Sequence, residues 1–199
     1  MTYNNLVKYF LLIIIFNIFV YSSCNKNGPC NETVYSFKLN ISANPGTDSI
    51  AVNDTLWFKI DESTQLTDVF TNRVVDFSNA KNLSYVFAIH KVVSSVSFTP
   101  AADSFLYVIK KGQYAGSLNP TYLREYLLQE ETGRYKLEVG FIPVKKGVFT
   151  VLVENSANVY TRDKPCIKAG FGIKFSNPDQ HFYLGYNISG EQVYYFKVI

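Results

Sequence analysis

From Thr33 onward, hydrophobic and polar residues alternate along much of the chain. A period of two places successive side chains on opposite faces and is typical of β-strands with one buried face. The apolar positions that this pattern assigns to the interior are Phe37, Leu39 and Ile41; Leu56, Phe58 and Ile60; Tyr135, Leu137, Val139 and Phe141; Phe149, Val151 and Val153; and Phe171, Ile173 and Phe175. We therefore expect a protein built mainly from half-buried strands.

Other segments predict strands without so clean an alternation. Residues 86–98 are rich in β-branched side chains, and residues 105–109 read as a buried strand. The chain ends on residues 193–198, which we expect to be held within a sheet. The runs at 135–141 and 149–153 are separated by Lys145-Lys146-Gly147, and this spacing predicts a β-hairpin over 135–153.

Helix signals are few. Asn119 and Pro120 precede Leu123, Tyr126 and Leu127 at helical spacing. Because Asn caps helices well and Pro suits the first turn, this pattern predicts a short helix over 120–130. A second, shorter helix is expected to start at Asn177-Pro178-Asp179.

Many short strands separated by turns favour an antiparallel β-sandwich, here one domain over 33–199. Residues 50–58 resemble the early strands of bacterial Ig-like domains, in which a kinked first strand continues through a turn into the next. Residues 147–151 resemble a late strand of those domains. The resemblance implies an all-β, mainly antiparallel Ig-like sandwich with one or two short helices.

The N-terminal segment has a different pattern. Lys8 is followed by an apolar run over 9–20, which is short for a membrane span and is interrupted by Asn17. Small residues then precede Cys24. A basic residue, a short apolar run and small residues together predict a signal peptide over 1–23.

Residues 20–24 resemble a bacterial lipobox, in which the cysteine becomes the lipidated first residue of the mature protein. Tyr21 is bulky where a small or aliphatic residue is usual, and in this the segment resembles the looser lipobox of Bacteroidetes lipoproteins. This resemblance implies an outer-membrane lipoprotein held by lipid on Cys24, with residues 24–32 forming the anchor and tether. The tether lacks the acidic export signal of surface lipoproteins, which favours the periplasmic face. The alternative is an ordinary signal peptide with a chance cysteine.

Two cysteines, Cys30 and Cys166, remain if Cys24 carries lipid. Exported proteins fold in an oxidising compartment, so we expect these two to form a disulfide. Free thiols or metal ligands are the alternatives. No Cys-x-x-Cys pair or suitably spaced histidine accompanies them, which disfavours a metal.

The sequence offers no catalytic constellation. His90 lies in a strand-like run and is expected to be structural, while His181 lies in a loop-like stretch without a nucleophile elbow. Asp61-Glu62 and Glu130-Glu131 are adjacent pairs, whose side chains diverge on a strand. Glycine-rich phosphate loops are absent from the sequence, and 19 basic against 16 acidic residues do not suggest nucleic-acid binding. We expect no enzyme activity and no cofactor.

Trp57 is the candidate ligand contact, because the alternation of its neighbours points it away from the core. An outward tryptophan can stack on a sugar or anchor an envelope protein partner. We expect a lipid-anchored cell-envelope protein that binds or supports other components. One alternative is a carbohydrate-binding accessory lipoprotein of a glycan-uptake system. The other is a eukaryotic secreted glycoprotein, for which N-glycosylation triplets begin at Asn31, Asn40, Asn53, Asn82 and Asn187.

Overall fold

A computed structural model describes residues 32–94, 97–117, 119–164, 166–176 and 193–199. The predicted signal peptide, Cys24, Cys30 and the second short helix lie outside these residues. Numbered in chain order, the strands of the first sheet are β1 (Thr33–Asn44), β3 (Leu56–Ser63), β6 (Ala80–Lys81), β9 (Phe105–Lys111), β12 (Gln129–Glu131), β13 (Arg134–Pro143), β15 (Ser156–Thr161) and β16 (Ile167–Phe175).

The strands of the second sheet are β2 (Ser49–Ile50), β7 (Ser84–Ser94), β8 (Ser97–Pro100), β10 (Gln113–Gly116), β11 (Leu123–Leu127), β14 (Gly147–Glu154) and β17 (Val193–Val198). A separate ribbon pairs β4 (Gln65–Thr67) with β5 (Val74–Asp76). One turn of 3-10 helix, Ala102–Ser104, precedes β9. Within the described residues, no helix is long and apolar enough to cross a membrane.

Antiparallel pairing dominates both sheets. The first sheet runs β12-β13-β3-β1-β16-β15-β6, with β9 also on β13, and the second runs β10-β11-β7-β14-β17-β2, with β8 also on β7. Two pairs are parallel: β1 with β16, from Thr33 opposite Ile167 to Ile41 opposite Phe175, and β17 with β2. The last strand therefore lies between two others, as its apolar sequence predicts.

The two sheets pack face to face through aromatic side chains. Phe58 of the first sheet has ring centroids 5.8 Å from Phe87 and 5.7 Å from Tyr194, both on the second sheet. Phe105 and Phe149 meet across the same interface at 4.9 Å. Every interior position predicted from the alternation is buried. The fold is an all-β, mainly antiparallel sandwich.

The predicted helix over 120–130 is wrong. Residues 119–122 form a turn, in which the Asn119 side chain accepts hydrogen bonds from the backbone and hydroxyl of Thr121. Leu123–Leu127 then forms β11, which pairs antiparallel with Ser84–Ala88. Five residues are too few for a stable helix on their own, so pairing with β7 decides their conformation.

The predicted hairpin over 135–153 is also wrong, although both of its strands exist. β13 belongs to the first sheet, where it pairs with β3 and β9, and β14 belongs to the second, between β7 and β17. Residues 144–146 therefore cross from one sheet to the other. Alternation identifies the residues that face the core, but strands on both sides of a sandwich face the same core.

The expected buried strand at 105–109 lies at an edge. β9 pairs with β13 alone, and its side chains are only partly covered: Leu106 is 60% exposed, and Val108 and Ile109 are also exposed. Phe105 is the buried residue of this strand. The apolar run predicted burial on both faces, but no third layer covers this strand among the described residues.

Candidate functional site

The outer surface of the first sheet carries Trp57. Leu56 and Phe58 point into the core, and Trp57 is half-buried on the opposite face, as the alternation predicted. The residue facing it on β13 is Gly140. A Cβ atom at Gly140 would lie 3.0 Å from the Trp57 ring and 2.7 Å from a methyl group of Val108. The absence of a side chain at Gly140 therefore lets the indole lie close to the neighbouring strand.

Lys110 covers a face of this indole. Its ammonium nitrogen lies 3.7 Å from the ring centroid, a cation–π contact. The same ammonium lies 3.2 Å from a carboxylate oxygen of Glu138. Such contacts contribute about 0.5–1 kcal/mol at exposed sites. A sugar ring that stacked on this face would have to displace Lys110, so Trp57 is not an open platform there.

Of the three cysteines, Cys166 alone lies within the described residues. It is half-buried directly before β16, and its carbonyl accepts a hydrogen bond from the backbone N–H of Thr33 at 3.0 Å. Cys24 and Cys30 lie outside the described part of the chain. The lipid anchor and the disulfide therefore stay predictions.

His90 has a structural environment. It lies on β7, half-buried, with its ring centroid 5.3 Å from that of Tyr122. This partial burial lowers the pKa of the imidazole. His181, the other histidine, is outside the described residues.

Asp61 and Glu62 lie on β3, and their carboxylates have different partners. Asp61 accepts a hydrogen bond from the Arg134 guanidinium at 2.6 Å, which lowers the pKa of its carboxyl. Glu62 instead accepts hydrogen bonds from the backbone and side chain of Asn40. The two adjacent carboxylates on β3 therefore have separate partners, on β13 and on β1.

Glu130 and Glu131 diverge in the same way. Glu131 lies 3.0 Å from the ammonium groups of both Lys111 and Lys136, and these contacts lower its pKa. Glu130 accepts a hydrogen bond from the backbone N–H of Asn79 at 2.7 Å. In the described ranges, no group of three His, Cys, Asp or Glu side chains could hold a metal ion.

A polar groove lies beside the paired strands β6 and β15, and no local sequence pattern predicted it. Two adjoining cavities of about 290 and 330 Å³ share Ala80, Leu83, Leu128 and Arg162 as lining residues. Polar residues around them include Asn79, Asn82, Gln113, Gln129, Glu130 and Thr132. These residues come from widely separated segments, so only the fold brings them together. Amide, guanidinium and carboxylate groups together suit a hydroxylated ligand.

A second feature without a sequence signal is the loop over residues 68–73, which joins β4 to β5. The Asp68 carboxylate is buried and accepts hydrogen bonds from the Ser36 N–H at 2.8 Å and from the backbone and hydroxyl of Thr71. These hydrogen bonds lower the pKa of the carboxyl, so it remains ionised at neutral pH. The loop nevertheless exposes Val69 and Phe70, the latter by 82%.

No protein family matches the chain, and no curated protein matches it. Among solved structures, the human F-spondin reeler domain is similar over 88% of this chain and 100% of its own, with a TM-score of 0.39 and 7% identity. The type II cohesin dyad of the scaffoldin ScaA from Acetivibrio cellulolyticus has a TM-score of 0.31 and 12% identity over 69% of this chain and 46% of its own.

The CupB6 tip adhesin of Pseudomonas aeruginosa has a TM-score of 0.21 and 17% identity over 74% of this chain. The match covers 43% of the adhesin chain. The present chain thus spans less than half of the cohesin and adhesin chains that it matches.

Proposed function

We propose that this protein is a lipid-anchored component of a bacterial cell envelope and that its β-sandwich is a binding or structural module without catalytic activity. The observation that carries the proposal is the order of features at the N-terminus: Lys8, the apolar run over 9–20 and Cys24. The first strand begins at Thr33, only nine residues after that cysteine. A short tether between a lipid and a folded domain accounts for this spacing.

The strand order supports the finer proposal that the sandwich is Ig-like. Constant-type Ig domains place strands A, B, E and D in one sheet and C, F and G in the other. In the first sheet, neighbouring strands run β1, β3, β13 and β9, which corresponds to A, B, E and D. In the second sheet, neighbouring strands run β7, β14 and β17, which corresponds to C, F and G. On this assignment β4–β6, β10–β12 and β15–β16 are insertions between Ig strands.

Lipid attachment is tested by fractionation and intact mass. The wild-type protein should partition into the membrane fraction, and its mature form should begin at residue 24 with the added mass of acyl chains. Cys24→Ala should release the protein into the soluble fraction, since several acyl chains anchor stably while unlipidated protein has none. A mutant that stays membrane-bound, or a mature terminus at another residue, rejects the proposal.

Carbohydrate binding is a second candidate function, favoured by the polar groove rather than by Trp57. The groove offers the side chains of Gln129 and Arg162, whereas Lys110 covers a face of the indole. A glycan array separates the two sites. Binding that is lost in Gln129→Ala and Arg162→Ala but retained in Trp57→Ala would assign the ligand to the groove, and the reverse pattern would assign it to Trp57.

A further inference from the structure

Four exposed apolar side chains lie at the end of the sandwich where β1 begins. They are Val34, Val69, Phe70 and Val74, with 63%, 50%, 82% and 67% of their surfaces exposed. We call them the apolar tip. The backbone N–H of Val69 donates to the carbonyl of Ser36 at 2.8 Å, which holds the loop beside the start of β1. Val34, two residues before Ser36, points to the same face of that strand.

Hydrogen bonds hold the loop in a defined shape. The Asp68 N–H donates to the carbonyl of Arg73, and the Asn72 N–H donates to the carbonyl of Asp68, both at 2.9 Å. The buried Asp68 carboxylate also ties Thr71 to Ser36, as described above. The phenyl ring of Phe70 is thus presented to solvent by an organised loop. An aromatic side chain that an ordered loop holds in solvent is a candidate for an interaction surface.

The tip lies at the end of the domain that is nearest in sequence to the proposed anchor. Thr33 follows Cys24 by nine residues, and nine extended residues span at most about 30 Å. The chain between the proposed lipid and the domain is therefore at most about 30 Å long, and it joins the domain at the start of β1, the end that carries the apolar tip. The loop also includes the exposed Arg73, whose charge suits lipid phosphate groups.

We propose that the apolar tip inserts into the bilayer that holds the lipid on Cys24, so that the sandwich stands end-on at the membrane. This inference rests on the proposed lipid anchor. Aromatic and aliphatic side chains at such a contact reach about 5–10 Å into the boundary between headgroups and acyl chains. Because the anchor already holds the protein on the membrane, the tip sets orientation rather than affinity.

The opposite end of the first sheet offers a matched control. Four neighbouring strands align there at Asn44, Trp57, Gly140 and Val108. Leu106 lies two residues beyond Val108 on β9, farther from the start of β1. Asn44 is eight residues from Ser36 on β1, or about 26 Å. Leu106 is 60% exposed, like the tip residues, but an end-on sandwich keeps it in water.

The chain has one tryptophan, so a fluorescent reporter can be moved to either end. The lipidated full-length mature protein carrying Trp57→Phe is prepared with either Phe70→Trp or Leu106→Trp. Each variant is reconstituted into vesicles of phosphatidylethanolamine and phosphatidylglycerol, with and without lipids brominated on the acyl chains. Thermal unfolding checks that each variant is folded, and intact mass checks that it is lipidated.

We expect brominated lipid to reduce the emission of the tryptophan at position 70 roughly twofold or more and to leave that at position 106 unchanged, since interfacial insertion brings the tip to the acyl boundary. Equal quenching at both positions, or none at position 70 in a lipidated protein, would overturn the end-on contact but leave the anchor standing. Burial of position 70 without quenching would indicate a protein partner or a second copy and would also overturn it. A mature protein without lipid overturns the proposed function, and this inference with it.

Discussion

The backbone N–H of Thr33 donates to the carbonyl of Cys166 at 3.0 Å, so the start of β1 lies directly beside the start of β16. The strands then continue in parallel, with Thr33 opposite Ile167. Cys30 precedes Thr33 by three residues, which span at most about 10 Å. Cys30 is thus within reach of Cys166, and a disulfide would close the N-terminal end of this strand pair.

We predict that non-reducing peptide mapping recovers Cys30 and Cys166 in one linked peptide. A link across so long a loop removes on the order of 4–5 kcal/mol of unfolded-state entropy in the chain-entropy model, so reduction should lower the unfolding temperature. Cys30→Ser should lower it to a similar extent and should not respond further to reductant. Alkylation of both cysteines in the unreduced, unfolded protein would show that they are not paired.

A second prediction concerns the pH dependence of the loop beneath the apolar tip. The hydrogen bonds from Ser36 and Thr71 lower the pKa of Asp68, so this carboxyl stabilises the fold above its unfolded pKa and the contribution is lost as the pH falls through its folded pKa. Asp68→Asn should therefore lower the unfolding temperature at pH 7, and the difference from wild type should shrink as the pH falls below about 4.

Thermal unfolding of wild type and Asp68→Asn at several pH values measures this difference. Asp48→Asn is the control, because Asp48 is exposed and substitutions at such positions usually change stability by no more than about 0.5 kcal/mol. A difference between wild type and Asp68→Asn that stays constant from pH 7 to pH 3 would show that the ionised carboxylate is not what organises the loop.

Sequence patterning identified the core better than it identified the topology. Burial of one sheet face imposes a period of two, and a slip by one residue would move every side chain to the wrong face, so positions such as Phe37 and Val151 were predictable. The partner of each strand was not, because β13 and β14 show the same alternation although they lie in different sheets. Leu123–Leu127 shows the same limit, since its conformation depends on pairing with β7.

The candidate binding surfaces were less predictable than the core. The polar groove joins residues as distant as Asn79 and Arg162, whose proximity is a consequence of the β6–β15 pairing. Trp57 was placed correctly on the outer face, but the cation above it comes from another strand, β9. Contacts between distant segments depend on strand order, which local patterns do not contain.

A third prediction compares a core position with an exposed turn. Val151 is fully buried on β14, between Ile89 and Tyr194 of the neighbouring strands. Val151→Asp places a carboxylate there without a partner and should cost several kcal/mol or prevent folding. Lys145→Ala removes an exposed ion pair with Asp103, which contributes about 0–1 kcal/mol. Denaturant unfolding of both variants should show this contrast, and equal small effects would contradict the position of β14 in the core.

The last prediction tests the close packing beneath Trp57. Gly140 and Gly170 both lie within strands of the first sheet, but only Gly140 is crowded. A Cβ atom at Gly140 would lie 2.7 Å from methyl groups of Thr55 and Val108, two β-branched side chains with little rotamer freedom. Around Gly170, no heavy atom lies within 4 Å of such a Cβ.

Gly140→Ala should therefore destabilise the protein by about 1–3 kcal/mol, the usual cost of overpacking. Gly170→Ala should be neutral or should stabilise it by up to about 1 kcal/mol, since alanine has less freedom than glycine in the unfolded chain. Denaturant unfolding measures both changes, and emission from Trp57 reports whether the indole has moved away from β13. Similar stabilities for the two variants, with unchanged emission, would mean that the indole does not need a glycine beneath it.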